Sequence, residues 1–295
     1  RMMIGTTPII VASTNTWTAV APMATARVFH TTTRLANGKV LVAAGANGSG
    51  AVASAELYDP ASNTWAPTGP MSGARQHHSA TLLPNGKVLA TGGDNTTGTV
   101  ASTELYDPVS NVWAPAATMA TARQQGSATL LSNGKVLVVG GYDGSNYVAS
   151  AELYDPATNT WATANTLTTA RRTHCAALLS SGNVLVAGGY GVATYLGSVE
   201  IYVPTANAWS NTGAMGSARQ NHTATLLPDG KVLVAGGYRG STVIAAAEIY
   251  DPAARTWSAA GSLVSPRYQH TATLLPGGKV LVTGGANAST EIASA

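Results

Sequence analysis

An all-β fold built from six copies of one four-stranded antiparallel unit is what the sequence predicts, on three observations. Arg27, Arg75, Arg123, Arg171, Arg219 and Arg267 recur every 48 residues, and so do all six tryptophans, from Trp17 to Trp257. A turn glycine keeps the same step at Gly38, Gly86, Gly134, Gly182, Gly230 and Gly278. Within each unit, short apolar runs alternate with Pro/Asp/Gly turns, and no helical period is present. A fixed period without insertions marks a repeat architecture and governs every other assignment.

The unit from Arg219 to Trp257 shows the internal logic. HTATLL is followed by the turn PDGK and then by VLVAGG, which reads as an antiparallel hairpin. A loop, YRGSTVIAA, leads to a third run, AEIYDP, and a turn at Pro252 leads to a fourth, TWSAA. In the second run Val232 and Val234 point one way and Leu233 and Ala235 the other, so the sheet is apolar on both faces. A sheet buried on both faces needs neighbours on both, and a linear stack leaves two bare ends. Radial packing removes the ends, which predicts a six-bladed β-propeller, four antiparallel strands per blade.

The chain of 295 residues is expected to be a single domain, with blades at about 23–70, 71–118, 119–166, 167–214, 215–262, and 263–295 completed by 8–22. The last assignment follows from register: PIIVASTNTW (8–17) aligns with ELYDPASNTW (56–65), so the N-terminal segment resumes the pattern where the C-terminal one stops. The closing blade is thus shared by the two termini. Pro8, Ile10 and Val11 replace the Glu, Tyr and Asp of their columns, and residues 1–7 have no assigned place.

Composition narrows the functional classes. Apolar residues make up 45% of the chain and charged residues 10%, with a net charge of +3. Such a chain can bury a core, and its scattered charges do not form a nucleic-acid surface. No apolar run approaches the ~18 residues of a membrane span, so membrane insertion is not expected. No basic-then-apolar leader follows Arg1, so a secretion signal is expected either to have been removed or never to have been present. One cysteine, Cys175, excludes an internal disulfide framework and any multi-cysteine metal site.

The double glycine after VLVAGG-type strands, the E-[LI]-Y-D-P segment and the Asn-x-Trp segment (Asn159 to Trp161) resemble kelch repeats over essentially the whole chain. The 48-residue period agrees with the ~50 of that repeat. The resemblance implies strands running outward from a central channel, with the loops between second and third strands and those between blades sharing one binding face. It resembles most the bacterial kelch domains of secreted and cell-surface proteins, which implies an extracellular or cell-surface location, and it leaves open membership of a larger surface protein or assembly.

Several columns are candidate site residues. The six arginines are expected at the channel mouth, either focusing positive potential on an anionic ligand or pairing with Glu56, Glu104, Glu152, Glu200 and Glu248. Mutual repulsion favours pairing, and because Pro8 stands in the glutamate column, Arg267 or Arg27 is expected to be least well paired. His30, His78, His174, His222 and His270 each follow an arginine by three, with Gly126 in the third unit. They are expected at the mouth in a structural role, bonded to neighbouring backbone, because side chains on different blades do not converge to Zn–N distances. The glycine pairs are expected to make room for the Tyr and Trp columns. Cys175 is expected to diverge from His174 and to be a buried, inert thiol. Arg34, alone in a leucine column, is read as a strand-end residue or an asymmetric spot on the opposite face.

Loop variation is the other signal. Tyr142, Tyr190 and Tyr238 open three consecutive loops and Asp94 opens the one before, while Asp143, Tyr147, Tyr195 and Arg239 add polar and aromatic reach. Such a cluster suits a glycan or a protein or peptide ligand. The expected function is therefore a non-catalytic binding scaffold that uses the loop face. No metal, no cofactor and no catalytic residue is assigned. The alternative is an enzyme acting on a sugar or sugar acid at the mouth. Six-bladed kelch sialic-acid mutarotases bind their ligand near the channel. The copper-radical oxidases are a weaker comparison: Arg267-Tyr268-Gln269-His270 comes closest to their motif, but its tyrosine is displaced by one position.

Overall fold

The structure, a computed structural model, describes residues 19–292 and residue 294. Every regular element in it is a β-strand. Five four-stranded antiparallel sheets follow one another along the chain, and each is a meander in which strands adjacent in sequence order are paired. The fourth, for example, comprises Cys175–Leu178, Val184–Ala187, Val199–Val203 and Ala208–Thr212. A sixth unit supplies the inner pair Thr271–Leu274 and Val280–Thr283. The innermost strands pack in succession from Thr31–Arg34 to Thr271–Leu274, so the fold is a six-bladed propeller. Completion of the sixth blade by residues 8–18 lies outside the described residues. Just after that segment, Ala21 is held against the first blade: its N–H donates to Asn63 Oδ1 at 3.0 Å, and its carbonyl accepts from Trp65 Nε1 at 2.7 Å.

Each conserved-looking column has a mechanical task. In every complete blade the tyrosine of the third strand lies directly opposite the tryptophan of the fourth, as in Tyr154 and Trp161. The two rings are 5.0–5.2 Å apart, a cross-strand aromatic pair that fastens the outer edge. Tyr154 also donates its hydroxyl to Asn159 Oδ1 at 2.9 Å, and Asn159 takes the left-handed turn conformation (φ 52°) that asparagine tolerates.

The core lies between blades. Leu185 and Ala187 of the fourth blade meet Val232, Val234 and Tyr250 of the fifth, while Val184 and Val186, on the opposite face, meet Leu137 and Val139 of the third. The two-sided strand read from the sequence is therefore buried from both directions. Val280–Thr283, the corresponding strand of the sixth blade, is half-buried among the described residues.

Leu185 is fully enclosed in one of these seams. Leu185→Ala is expected to cost about 2–5 kcal/mol, from lost transfer energy and the residual cavity, measured by urea unfolding followed through tryptophan fluorescence.

Candidate functional site

The arginine column turns inward to the blades rather than to the mouth. Arg171 Nη2 pairs with Glu200 Oε1 at 2.8 Å, and both side chains are fully buried. Its Nη1 donates to the carbonyls of Gly188 and Ser198 at 2.8 and 2.9 Å, its Nη2 to Ser198 Oγ at 3.0 Å, and its Nε to the carbonyl of Thr169 at 3.3 Å. Glu200 in turn accepts from the backbone N–H groups of Thr168 and Thr169. Arg27, Arg75, Arg123 and Arg219 pair in the same way with Glu56, Glu104, Glu152 and Glu248, at 2.6–2.8 Å. Arg267 bonds the carbonyls of Gly284 and Ser294 and the hydroxyl of Ser294, and it has no carboxylate partner among the described residues.

Of the two readings of this column, the favoured one, pairing with the glutamates, holds for five of the six arginines, and the other, a positive funnel for an anion at the mouth, is corrected by this geometry. Their donors are spent on carboxylates and carbonyls inside the blades, and among the described residues none of the six lines the mouth cavity. Burial pulls the basicity of Arg75, Arg123, Arg171 and Arg219 down, and the paired glutamates push it back.

The histidines do line the mouth, and they connect blades. His78 Nε2 lies 2.8 Å from Thr31 Oγ1, His174 Nε2 2.8 Å from Ser127 Oγ, and His270 Nε2 3.1 Å from Thr223 Oγ1. The partner is thus a hydroxyl on the preceding blade rather than backbone. Cys175 occupies the hydroxyl column and meets His222 Nε2 at 3.0 Å, while His174 turns to the third blade. Burial pushes the Cys175 thiol up to about 12, so it stays protonated and unreactive. Burial first, and the adjacent arginine second, push His78, His174 and His222 down to about 3 and His270 to about 4. The same packing explains the glycine pairs. A Cβ on Gly188 would stand 2.7 Å from both the Arg219 carbonyl and His222 Cε1, and one on Gly189 2.5 Å from the Arg172 carbonyl. The neighbours that require glycine are the carbonyls of the arginine and of the residue that follows it, together with the histidine side chains, not the Tyr and Trp columns.

Outside the histidines the mouth is held by a belt of left-handed residues. Phe29, His77, Gln125, Thr173, Asn221 and Gln269, one per blade, all have φ between 52° and 56°. Each N–H from His77 onward donates to the carbonyl of its counterpart one blade earlier, at 2.9–3.2 Å. A β-branched residue such as Thr173 rarely accepts this backbone, so the belt places strain at the mouth. The backbone is the same in every blade, yet five different residue types occupy the six positions. The belt and the histidine column together line an open depression of about 310 Å³.

Beside the belt the loop tyrosines join into one continuous arc. Successive ring centroids run Tyr142–Tyr147 at 5.7 Å, Tyr147–Tyr190 at 5.7 Å, Tyr190–Tyr195 at 4.9 Å, Tyr195–Tyr238 at 5.9 Å and Tyr238–Tyr268 at 5.0 Å. All six rings are half-buried. Tyr142, Tyr190 and Tyr238 are therefore brought together as the loop pattern suggested, and Tyr268 extends the row. Arg172 stacks on Tyr142, Tyr147 and Tyr190, its guanidinium carbon 5.1, 5.4 and 6.0 Å from the ring centroids.

The other loop candidates lie apart. Asp143 is spent on its own turn, accepting from the N–H groups of Ser145 and Asn146, and Arg239 is exposed. Asp94 sits in the second blade, next to the blade where the arc begins, in a constellation the sequence reading missed. His77 Nδ1 bonds Asp94 Oδ1 at 2.8 Å, Gln76 Nε2 donates to Asp94 Oδ2 at 3.0 Å, and Phe29 stacks on His77 at 4.2 Å. Arg34 is exposed at the end of the first strand. Among the described residues no group of three or more His, Cys, Asp or Glu side chains is placed to hold a metal ion.

Two outcomes follow from the buried groups. Removing one partner of a buried pair strands the other charge, so Glu200→Ala is expected to cost about 3–5 kcal/mol, with Arg171→Met/Glu200→Leu costing less, both by urea unfolding. The native histidine values lie below the unfolded value of 6.5, so the unfolded chain binds protons that the native one excludes. The urea midpoint should hold above pH 6.5 and fall steadily from there toward pH 3; a flat profile down to pH 5 would mean that these imidazoles protonate within the fold.

With fold and mouth described, the likenesses to known proteins have a physical basis. A family model described as the KLHDC2/KLHL20/DRC7 Kelch-repeats domain matches residues 8–189, and one described as the Kelch motif matches residues 171–216 and 221–263. No curated protein matches the chain. Among solved structures, one described as "Structure of YjhT" superposes with a TM-score of 0.74 at 15% identity, covering 94% of this chain and 95% of that one. The repeat, the two-sided blades and the matched family models agree, and the chain belongs to the kelch-repeat family.

Proposed function

We propose that this propeller is a non-catalytic binding scaffold that takes a glycan across the tyrosine arc on its loop face. The observation that carries this reading is the row of six touching tyrosines, drawn from four blades and lying beside the most variable columns of an otherwise uniform repeat. Tyrosine offers a flat apolar ring with a polar tip at low conformational cost, which suits sugar rings. The belt adds amide and hydroxyl groups at Gln125, Thr173, Asn221 and Gln269, with the hydrogen-bonding capacity that sugar hydroxyls require. The uniform columns, Arg, Glu, Trp and Tyr, are occupied with holding the blades, and the varied ones face the mouth.

A second reading, an enzyme acting on a sugar or sugar acid, is favoured by His77–Asp94. Asp94 fixes the imidazole through Nδ1, which leaves Nε2 as the uncommitted nitrogen of a cavity-lining residue, the arrangement of a general base.

A glycan and peptide array separates these classes. The binding reading expects glycan capture that Tyr190→Ala weakens by about 2 kcal/mol, the scale of an aromatic anchor, with the fold retained by circular dichroism. Capture of peptides alone would overturn the glycan assignment. For the enzymatic reading, the chain should accelerate anomer exchange of a reducing sugar or sugar acid, measured by NMR, and His77→Gln should abolish it. No acceleration with any reducing sugar or sugar acid would remove that reading.

A further inference from the structure

We infer that Arg172 is a receptor for a carboxylate, so that the glycan taken by the tyrosine arc is an acidic one, carrying a uronate-type or other sugar-acid residue. The inference rests on the arc being the binding surface.

Arg172 and its sequence neighbour Arg171 are opposites. Arg171 spends its donors on Glu200 and on carbonyls. Arg172 makes no side-chain hydrogen bond and no ion pair among the described residues, and its Nε is enclosed without an acceptor. Three tyrosine rings hold the guanidinium in place. Among the described residues none of its N–H groups meets an acceptor. A positioned guanidinium with an unused donor fork matches a carboxylate through two parallel hydrogen bonds.

The repeat supplies an internal template for the missing partner. The column of Arg172 holds Val28, Gln76, Gln124, Gln220 and Tyr268 in the other blades, so the scaffold itself needs no cation there. In each blade this residue faces the one that opens the loop: Gln76 pairs across with Asp94, Gln124 with Tyr142, and Arg172 with Tyr190. In the second blade Gln76 donates to the carboxylate of Asp94. In the fourth blade the donor is stronger and charged, but the facing position is Tyr190 and no carboxylate among the described residues meets it. A ligand carboxylate beside Tyr190 would complete the arrangement that Asp94 completes two blades away. The remaining rings of the arc, Tyr195, Tyr238 and Tyr268, continue from that point and would carry the sugar rings that follow.

The test is calorimetric titration of the whole chain with three probes: a galacturonic acid tetramer, a neutral galactose tetramer and a glutamate-rich peptide. The uronate tetramer should bind at least about tenfold more tightly than the neutral one, with the margin shrinking as salt is raised. Arg172→Gln, which places the residue of three other blades in this column, should lower uronate affinity by about 10- to 100-fold and leave neutral affinity within about threefold. Arg172→Lys should recover only part, because an ammonium is a point charge without the planar fork. Thermal unfolding of each variant confirms that the blade is intact. Equal affinity of the native chain for the two tetramers, or an acid preference that survives Arg172→Gln, would overturn the carboxylate role while leaving the glycan surface standing. Binding of the peptide alone, or of none of the probes, would overturn both.

Discussion

Each of the first five blades is held by a carboxylate and a guanidinium taken out of water together. Desolvating either alone would cost several kcal/mol, and neither can be satisfied by a single bond, so each Arg–Glu pair recruits a full set of neighbours. Arg171 gathers two carbonyls and a hydroxyl, while Glu200 gathers two backbone N–H groups from the segment entering the blade. The pair thereby fixes where the chain crosses from one blade to the next. Because the arginine carbonyl then meets the glycine pair of the preceding blade, an error at one pair would be felt across a seam.

This division of labour leaves the mouth available for recognition. The belt from Phe29 to Gln269 satisfies its backbone from blade to blade, so its side chains are not needed to hold the ring. The strain of six left-handed residues is tolerated because the buried pairs, the histidine–hydroxyl bonds and the interblade cores over-determine the backbone beneath them. Side chains with no duty to the fold can differ, and here they do: an aromatic arc and Arg172 over the third to sixth blades, His77 with Asp94 and Phe29 over the first two. A sixfold frame thus presents an asymmetric surface.

Much of this was legible beforehand because the repeat multiplies every structural signal. An arginine and a glutamate at constant spacing are readable as partners, and proline in the glutamate column pointed to Arg267 or Arg27 as the least well paired: Arg27 has Glu56, whereas Arg267 has no carboxylate among the described residues. The tyrosines that open the loops were also visible as candidates. Arg172 and His77 were not, since they follow invariant arginines by one and two positions, where variation resembles loop noise. The signal available was that their columns vary most while their flanks vary least. Reading that variation as display required knowing that the His77 column carries a shared left-handed backbone and that the Arg172 column faces the loop-opening residue.

The periodic sequence by itself determined the blade, its two apolar faces and the pairing of its charges, because these depend on local alternation and on residues recurring at constant spacing. Only the tertiary structure decided which groups meet across a seam. Tyr147 touches Tyr190, Cys175 touches His222, and glycine faces a carbonyl rather than a tryptophan. Those contacts join residues of different blades. Their distances are set by how wedges rotate about a common axis, and no spacing within a repeat encodes that rotation.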